Sequence, residues 1–294
     1  MTLRVWTATL RNVVALAHPD FFFKRIMAGQ RGIEGCCTVS FDCDFPRDIE
    51  VLPQLVDKLD HYGISATFAC IGQWIRAFPE EHRVLAAAGH EIINHTETHP
   101  NLYHPGFDYS RDERLNRMRF NEIGPSARRE EIERCHGTFA EVLDMEPIGF
   151  RTPHFGSLHV EDVYPVLDTL GYRFSSSVVA GNHRLRGRPF KVGKSLWELP
   201  VSPCPRHPFG VLDSWHSLAN KRAWHKTPGA MAGLFSELVD LVQAQGGLVN
   251  VYFDPCDMLA SGELDRVLEV LQASGMPVVS YGDLADQLDR AQCA

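Results

Sequence analysis

The chain has 294 residues, with 29 Lys and Arg against 37 Asp and Glu, and a formal net charge of −8. It is long enough to bury a large core, and without a basic block it is a poor candidate for a nucleic-acid binder. The eight cysteines follow no disulfide-like rhythm and include no CxxC pair, so reduced thiols are expected and a thiolate zinc site is not.

Residues 1–35 read as an N-terminal extension and residues 36–294 as the main domain. Residues 1–17 are fairly apolar, but Arg4 and Arg11 interrupt them and no small-residue cleavage site follows. They resemble neither a signal peptide nor a membrane span. Trp6, Leu10, Phe21, Phe22 and Ile26, with Arg11, Lys24 and Arg25, fit a segment lying on a membrane surface or packed on the main domain or on a second subunit.

Residues 36–42 form an apolar run that predicts a buried strand ending in Asp42. Ile49, Leu52, Leu55, Val56 and Leu59 recur at helical spacing, predicting a helix over 49–61 that stops at Gly63. A strand is expected at 66–71, a helix at 79–88 ended by Gly89, and a strand at 90–94 that runs into His95-Thr96-Glu97-Thr98-His99-Pro100. A long helix follows over 126–143, a strand end at 149–151 and a helix over 162–170 stopped by Gly171. Residues 180–230, rich in Gly, Pro, His and Arg, read as long connections over one face. A helix over 234–244, a strand over 248–253 ending in Asp254, a helix over 264–273 and a strand over 277–280 complete the pattern. Strand–helix alternation with reactive residues at strand ends predicts a parallel α/β barrel whose site lies at the C-terminal rim.

Asp42, Asp44, His95 and His99 supply the chemistry. Two imidazoles and a carboxylate can hold a divalent metal with open positions, leaving the second carboxylate as a base. His-x3-His alone is weak: about 0.7 such pairs arise by chance from this many histidines in a chain of this length. Placement beside predicted strand ends raises its weight. The competing readings are exposed loop histidines and, for Asp44, a cap on the following helix.

Three segments resemble the polysaccharide deacetylases, also called carbohydrate esterase family four or the NodB-homology domain. Ser40-Phe41-Asp42-Cys43-Asp44 is similar to the family's first motif, His95 to Pro100 to its second, and Phe150-Arg151-Thr152-Pro153-His154-Phe155-Gly156 to its third. Their order and spacing are family-like over residues 36 to 285. The resemblance implies a distorted (β/α)7 barrel and a divalent metal, usually Zn2+, with Co, Mn, Ni or Fe as alternatives. It implies Asp44, His95 and His99 as metal ligands and Asp42 as general base. Arg151 would orient Asp42 and keep it ionised, and the backbone N–H near His154 would steady the tetrahedral oxyanion. Trp215 and Tyr252 are expected sugar contacts, and Trp197-Glu198-Leu199-Pro200 and Asp213-Ser214-Trp215 expected substrate walls.

The last motif departs from the family: Tyr252-Phe253-Asp254-Pro255 carries aspartate where a histidine normally donates a proton. Three explanations are open. Asp254 has a pKa raised by burial and by Asp42; or His154, His207 or His216 donates instead; or the chain binds a glycan without efficient cleavage. The expected function is removal of an N-acetyl group from a nucleotide- or lipid-linked glycan precursor in cell-surface polysaccharide biosynthesis. The expected location is the cytoplasm, with peripheral contact at the inner membrane face, and an oligomer is compatible with the sequence. Alternatives are hydrolysis of a sugar formamide or a small cyclic amide, and non-catalytic glycan binding.

Overall fold

Eight consecutive residues, Cys36–Cys43, form a strand (β1) in which every side chain is buried. Such a strand needs a neighbour on each edge and cover on both faces, the situation of a central parallel strand. β1 pairs in parallel with β2 (Thr67–Cys70) on one side and with the last strand, Leu248–Phe253, on the other. The computed structural model describes residues 14–293 apart from 16, 32, 101–117, 183–186 and 220–224. Of the expected N-terminal extension, residues 1–13, 16 and 32 lie outside the described residues.

The other strands are β3 (Glu91–Asn94), β4 (Gly149–Phe150), β5 (Phe174–Ser175), β6 (Phe190–Val192), β7 (Leu196–Glu198), β8 (Pro203–Cys204), β9 (His207–Val211) and β10 (Leu248–Phe253). One curled sheet has the order β10-β1-β2-β3-β4-β5-β7-β6. Seven of its strands run parallel and β6 pairs antiparallel at the edge. This is the distorted (β/α)7 barrel the motifs imply. Beyond β7 the chain leans back on β10: Asn250 Nδ2 donates to the carbonyls of Leu199 and Pro200, and the Ser202 N–H donates to Asn250 O. β8 and β9 form a separate hairpin.

The helices are α1 (Pro19–Met27), α2 (Pro46–Glu50), α3 (Leu52–His61), α4 (Gly72–Ala77), α5 (Pro79–Ala87), α6 (Pro125–Thr138), α7 (Tyr164–Thr169), α8 (Ala230–Gln245), α9 (Pro255–Ser261), α10 (Glu263–Ser274) and α11 (Tyr281–Cys293). Leu52, Leu55, Val56 and Leu59 on α3 face the core at the spacing the sequence predicts. Phe41 stacks on Phe68 at 5.3 Å between ring centroids and approaches Phe253 at 6.1 Å, tying three adjacent strands together.

Several expectations are corrected. The helix expected over 49–61 is broken at Val51, where α2 gives way to α3. The strand expected over 277–280 contributes a single bridge, Val278 to Cys37, because β2 occupies that edge of β1 from Ser40 onward. Residues 180–230, expected as connections, contain β6, β7 and the β8–β9 hairpin. The sequence reading also missed α4 and α11. α1 buries Phe23, Ile26 and Met27, and Phe22 packs on Phe209 of β9 at 5.7 Å between centroids. Among the described residues no helix is long and apolar enough to cross a membrane, and seven described cysteines are free thiols.

Candidate active site and metal centre

The motif residues meet at the C-terminal ends of the parallel strands. β1 carries Asp42 to its rim and Asp44 just beyond it, β3 leads into His95, β4 into Arg151, and β10 into Asp254. His95 Nε2 lies 3.3 Å and His99 Nε2 3.5 Å from Asp44 Oδ1. Asp42 Oδ2 stands 4.0 Å from His95 Nε2. All four side chains are buried.

The loop carrying both histidines is held in a mould. Asn94 Oδ1 accepts from the Thr96 N–H, and Thr96 Oγ1 accepts from the His99 N–H. Glu131 on α6 accepts from the N–H and the hydroxyl of Thr98. The N–H groups of Gly72 and Gln73 at the start of α4 donate to the carbonyls of Thr96 and Glu97. Thr96, His99 and His154 have positive φ (69°, 54° and 46°). Left-handed backbone at three non-glycine residues around one cluster is strain of the kind kept at functional sites.

These residues fit a metal. Asp44 Oδ1 and His95 Nε2 are buried and make no hydrogen bond, although only 3.3 Å apart. A tetrahedral ion bonded at about 2.0–2.1 Å to N and O ligands places them about 3.3–3.4 Å from one another. The observed spacings match. His95 Nδ1 lies 2.8 Å from the Arg151 carbonyl, a bond that puts the proton on Nδ1 and leaves the Nε2 lone pair for the ion. Burial pushes the His99 pKa well down, keeping that imidazole neutral as a ligand must be. For Asp44, burial alone would raise the pKa, but His99 and His95 outweigh it and hold the carboxyl below its usual range.

Arg151 is fully buried. Its Nη1 donates to Asp42 Oδ1 at 2.5 Å, and its Nη2 donates to Tyr281 Oη at 2.7 Å and Ser40 Oγ at 2.9 Å. The expected contact with Asp42 is present. Burial, the largest influence, raises the Asp42 pKa, and Arg151 and His95 act against that rise. Asp42 Oδ2 is left facing the histidines.

A cleft of about 500 Å3 opens over this cluster, lined in part by Asp42, Asp44, His154, Trp215, Tyr252 and Asp254. His154 is exposed, its ring 4.9 Å from that of His99. Trp215 and Tyr252 are half-buried, and Tyr252 meets Phe155 edge-on at 4.8 Å. Asp254 is buried and clasped by one side chain: Ser214 Oγ donates to Oδ2 at 2.7 Å and accepts from the Asp254 N–H at 2.6 Å. Burial pushes its pKa well up, aided by the carboxylates of Asp48 and Asp44; Asp42 is not among the leading causes.

Two expectations fail on position. Trp197 and Glu198 are buried in the body of the domain: Trp197 Nε1 bonds Asp289 on α11, and Glu198 accepts from the N–H groups of Ser177 and Val178. Trp197 instead lines a cleft of about 600 Å3 near the start of β1, away from the aspartates and imidazoles. His207 stands with Cys204 and His225 on the hairpin side, whereas His216 lines the cleft over Asp42 and Asp44. The sequence reading missed Tyr281 and Asn250, and it placed Ser214 in a substrate wall without its hydrogen bonds to Asp254. Only Ser40 carried a usable signal, because period-two alternation in β1 puts it on the same face as Asp42.

The family model for polysaccharide deacetylase matches residues 30–175. A peptidoglycan-N-acetylglucosamine deacetylase of Bacillus cereus is 39% identical over 64 residues, 22% of this chain and 23% of that protein. The chain thus matches less than a quarter of that relative's length. A Mycobacterium smegmatis structure described as that of a candidate polysaccharide deacetylase superposes with a TM-score of 0.65 at 21% identity, covering 88% of this chain and 92% of that one. A CE4-family pseudoenzyme of Bacillus anthracis gives a TM-score of 0.54 at 14% identity over 86% and 66%. At such identities these likenesses establish the fold, which is the barrel described above. Family match, motif order and barrel agree: the chain belongs to the polysaccharide deacetylase family, with aspartate in place of the last motif's histidine.

Proposed function

We propose that this protein is a metal-dependent carbohydrate N-deacetylase. The observation that carries this reading is the pairing at the cleft floor. A three-residue set with metal-ligand spacing, Asp44, His95 and His99, lies beside a separate carboxylate, Asp42, that Arg151 holds in place. Asp44, His95 and His99 would hold the ion, which polarises an amide carbonyl and acidifies water when bound. Asp42 Oδ2 takes the proton of the attacking water, since Oδ1 is engaged by Arg151. Asp254, whose pKa burial pushes well up, would deliver a proton to the departing amine nitrogen. Trp215 and Tyr252 offer the sugar apolar faces, and the backbone at His154 offers an N–H to the oxyanion.

The substrate we favour is an N-acetylated sugar on a lipid- or nucleotide-linked precursor, handled in the cytoplasm. α1 supports the lipid-linked case: it exposes Phe21 and carries Lys24 and Arg25, while Phe22 rests on Phe209 of the cleft wall.

The test is product release. Zn2+-loaded protein should free acetate from N-acetylated sugars, lose that activity on chelation, and regain it with Zn2+ or Co2+. Formate release from N-formyl sugars would redirect the assignment to another C–N bond. Metal binding with no acyl release from any amide would establish the non-catalytic reading, which the Asp254 departure and the pseudoenzyme relative favour.

A further inference from the structure

A second set of metal-binding side chains lies outside the catalytic cluster. Cys204 ends β8 and His207 opens β9, paired across the tight turn that joins them. His225 comes from the segment after the cleft wall, where its N–H donates to Ser217 O at 3.3 Å. Cys204 Sγ stands 3.8 Å from His207 Nδ1 and 3.7 Å from His225 Nε2. One ligand atom from each residue lies within 4.8 Å of the other two. Cys204 is buried and both histidines are half-buried. Tetrahedral Zn2+, with Zn–S about 2.3 Å and Zn–N about 2.0–2.1 Å, separates S from N ligands by about 3.5–3.6 Å.

We propose that Cys204, His207 and His225 form a second site for a borderline-soft divalent transition metal, Zn2+ foremost, that clips the β8–β9 hairpin to the segment carrying Ser214 and Trp215. The donor set selects the ion: one thiolate and two imidazoles suit Zn2+ and disfavour Mg2+ or Ca2+, which take oxygen. A scan for CxxC pairs passes over this site because its ligands are mixed. A thiolate ligand must lose its proton on binding, so affinity at this site is expected to rise with pH.

The location gives the site a task. Phe209, Gly210 and Val211 of the hairpin and Trp215 and His216 of the following segment are the two sides of one cleft wall. That same segment supplies Ser214 to Asp254. An ion bridging hairpin and segment ties the wall, and with it the grip on Asp254, to the barrel.

Cobalt distinguishes the two centres, because only this one has a sulfur ligand. Full-length protein stripped of metal and titrated with Co2+ is expected to bind two equivalents, one of them with a thiolate-to-Co(II) charge-transfer band. Cys204→Ser should abolish the band and remove one equivalent. His99→Ala should keep the band while removing the other equivalent, so failure of the catalytic centre reads separately. His225→Ala, a change in a less buried segment, should weaken the band's titration and covers a fold defect in Cys204→Ser. Wild-type protein without a band at saturating Co2+, or a band that persists in Cys204→Ser, overturns the proposal.

Discussion

Asp254 illustrates how one environment changes what a residue can do. An exposed aspartate is ionised at neutral pH and donates nothing, but this one is buried near Asp48 and Asp44, which pushes its pKa well up toward a form that can donate. Asp254→Asn should therefore lower kcat by roughly 10²–10⁴-fold, with metal content unchanged by elemental analysis. Asp254→His tests the departure from the family: higher kcat on simple N-acetyl sugars means the aspartate only weakens a standard enzyme, and complete loss means it has its own role. Asp42→Asn should cost at least as much in rate while both histidines still bind Co2+, because the substitution removes the base and spares the ligand set. A parallel loss of Co2+ would instead make Asp42 a ligand.

The His95–His99 loop depends on a glycine as much as on its own side chains. A Cβ at Gly72 would stand 2.0 Å from Glu97 Oε2 and 3.3 Å from Cys135 Cα. Glu97 has nowhere free to go, being bonded by Thr138 Oγ1 and Arg76. Gly72→Ala should destabilise the fold by roughly 1–3 kcal/mol in a denaturant titration and weaken metal binding. This dependence could not be read from the sequence, since it rests on contacts 25 and 63 residues away along the chain. What could be read were the strands ending in Asp42, His95 and Asp254, because fully buried parallel strands appear as continuous apolar runs. The short, proline-rich β8–β9 hairpin has no such run and was passed over. Trp197 was misplaced for another reason: its expected place came from the family resemblance, in a stretch read as connections, whereas it lies on the short buried strand β7.

At the scale of the whole molecule, stability is concentrated where strands share aromatic rings. Phe41→Ala should cost about 3–5 kcal/mol, read as a lower denaturation midpoint, because the cavity would open between β1, β2 and β10 at once. Buried acids add a pH dependence. Glu131 is raised to about 7, chiefly by burial. Its folded pKa exceeds its unfolded one, so the folded state binds the extra proton. The stability it contributes is full below the unfolded pKa, about 4.3, and is lost as pH rises toward about 7. Against Glu131→Gln, the wild type should lose relative stability across that window and hold level above it, as a pH series of unfolding free energies would record. Arg151 sets a different constraint. Among the described residues its one carboxylate partner is Asp42. If Asp42 is the proposed base, each proton it takes leaves the buried Arg151 cation without its carboxylate partner, so Arg151 favours passing the proton on while burial of Asp42 favours keeping it. The balance of these two opposing pulls would set how quickly the proposed base is reset.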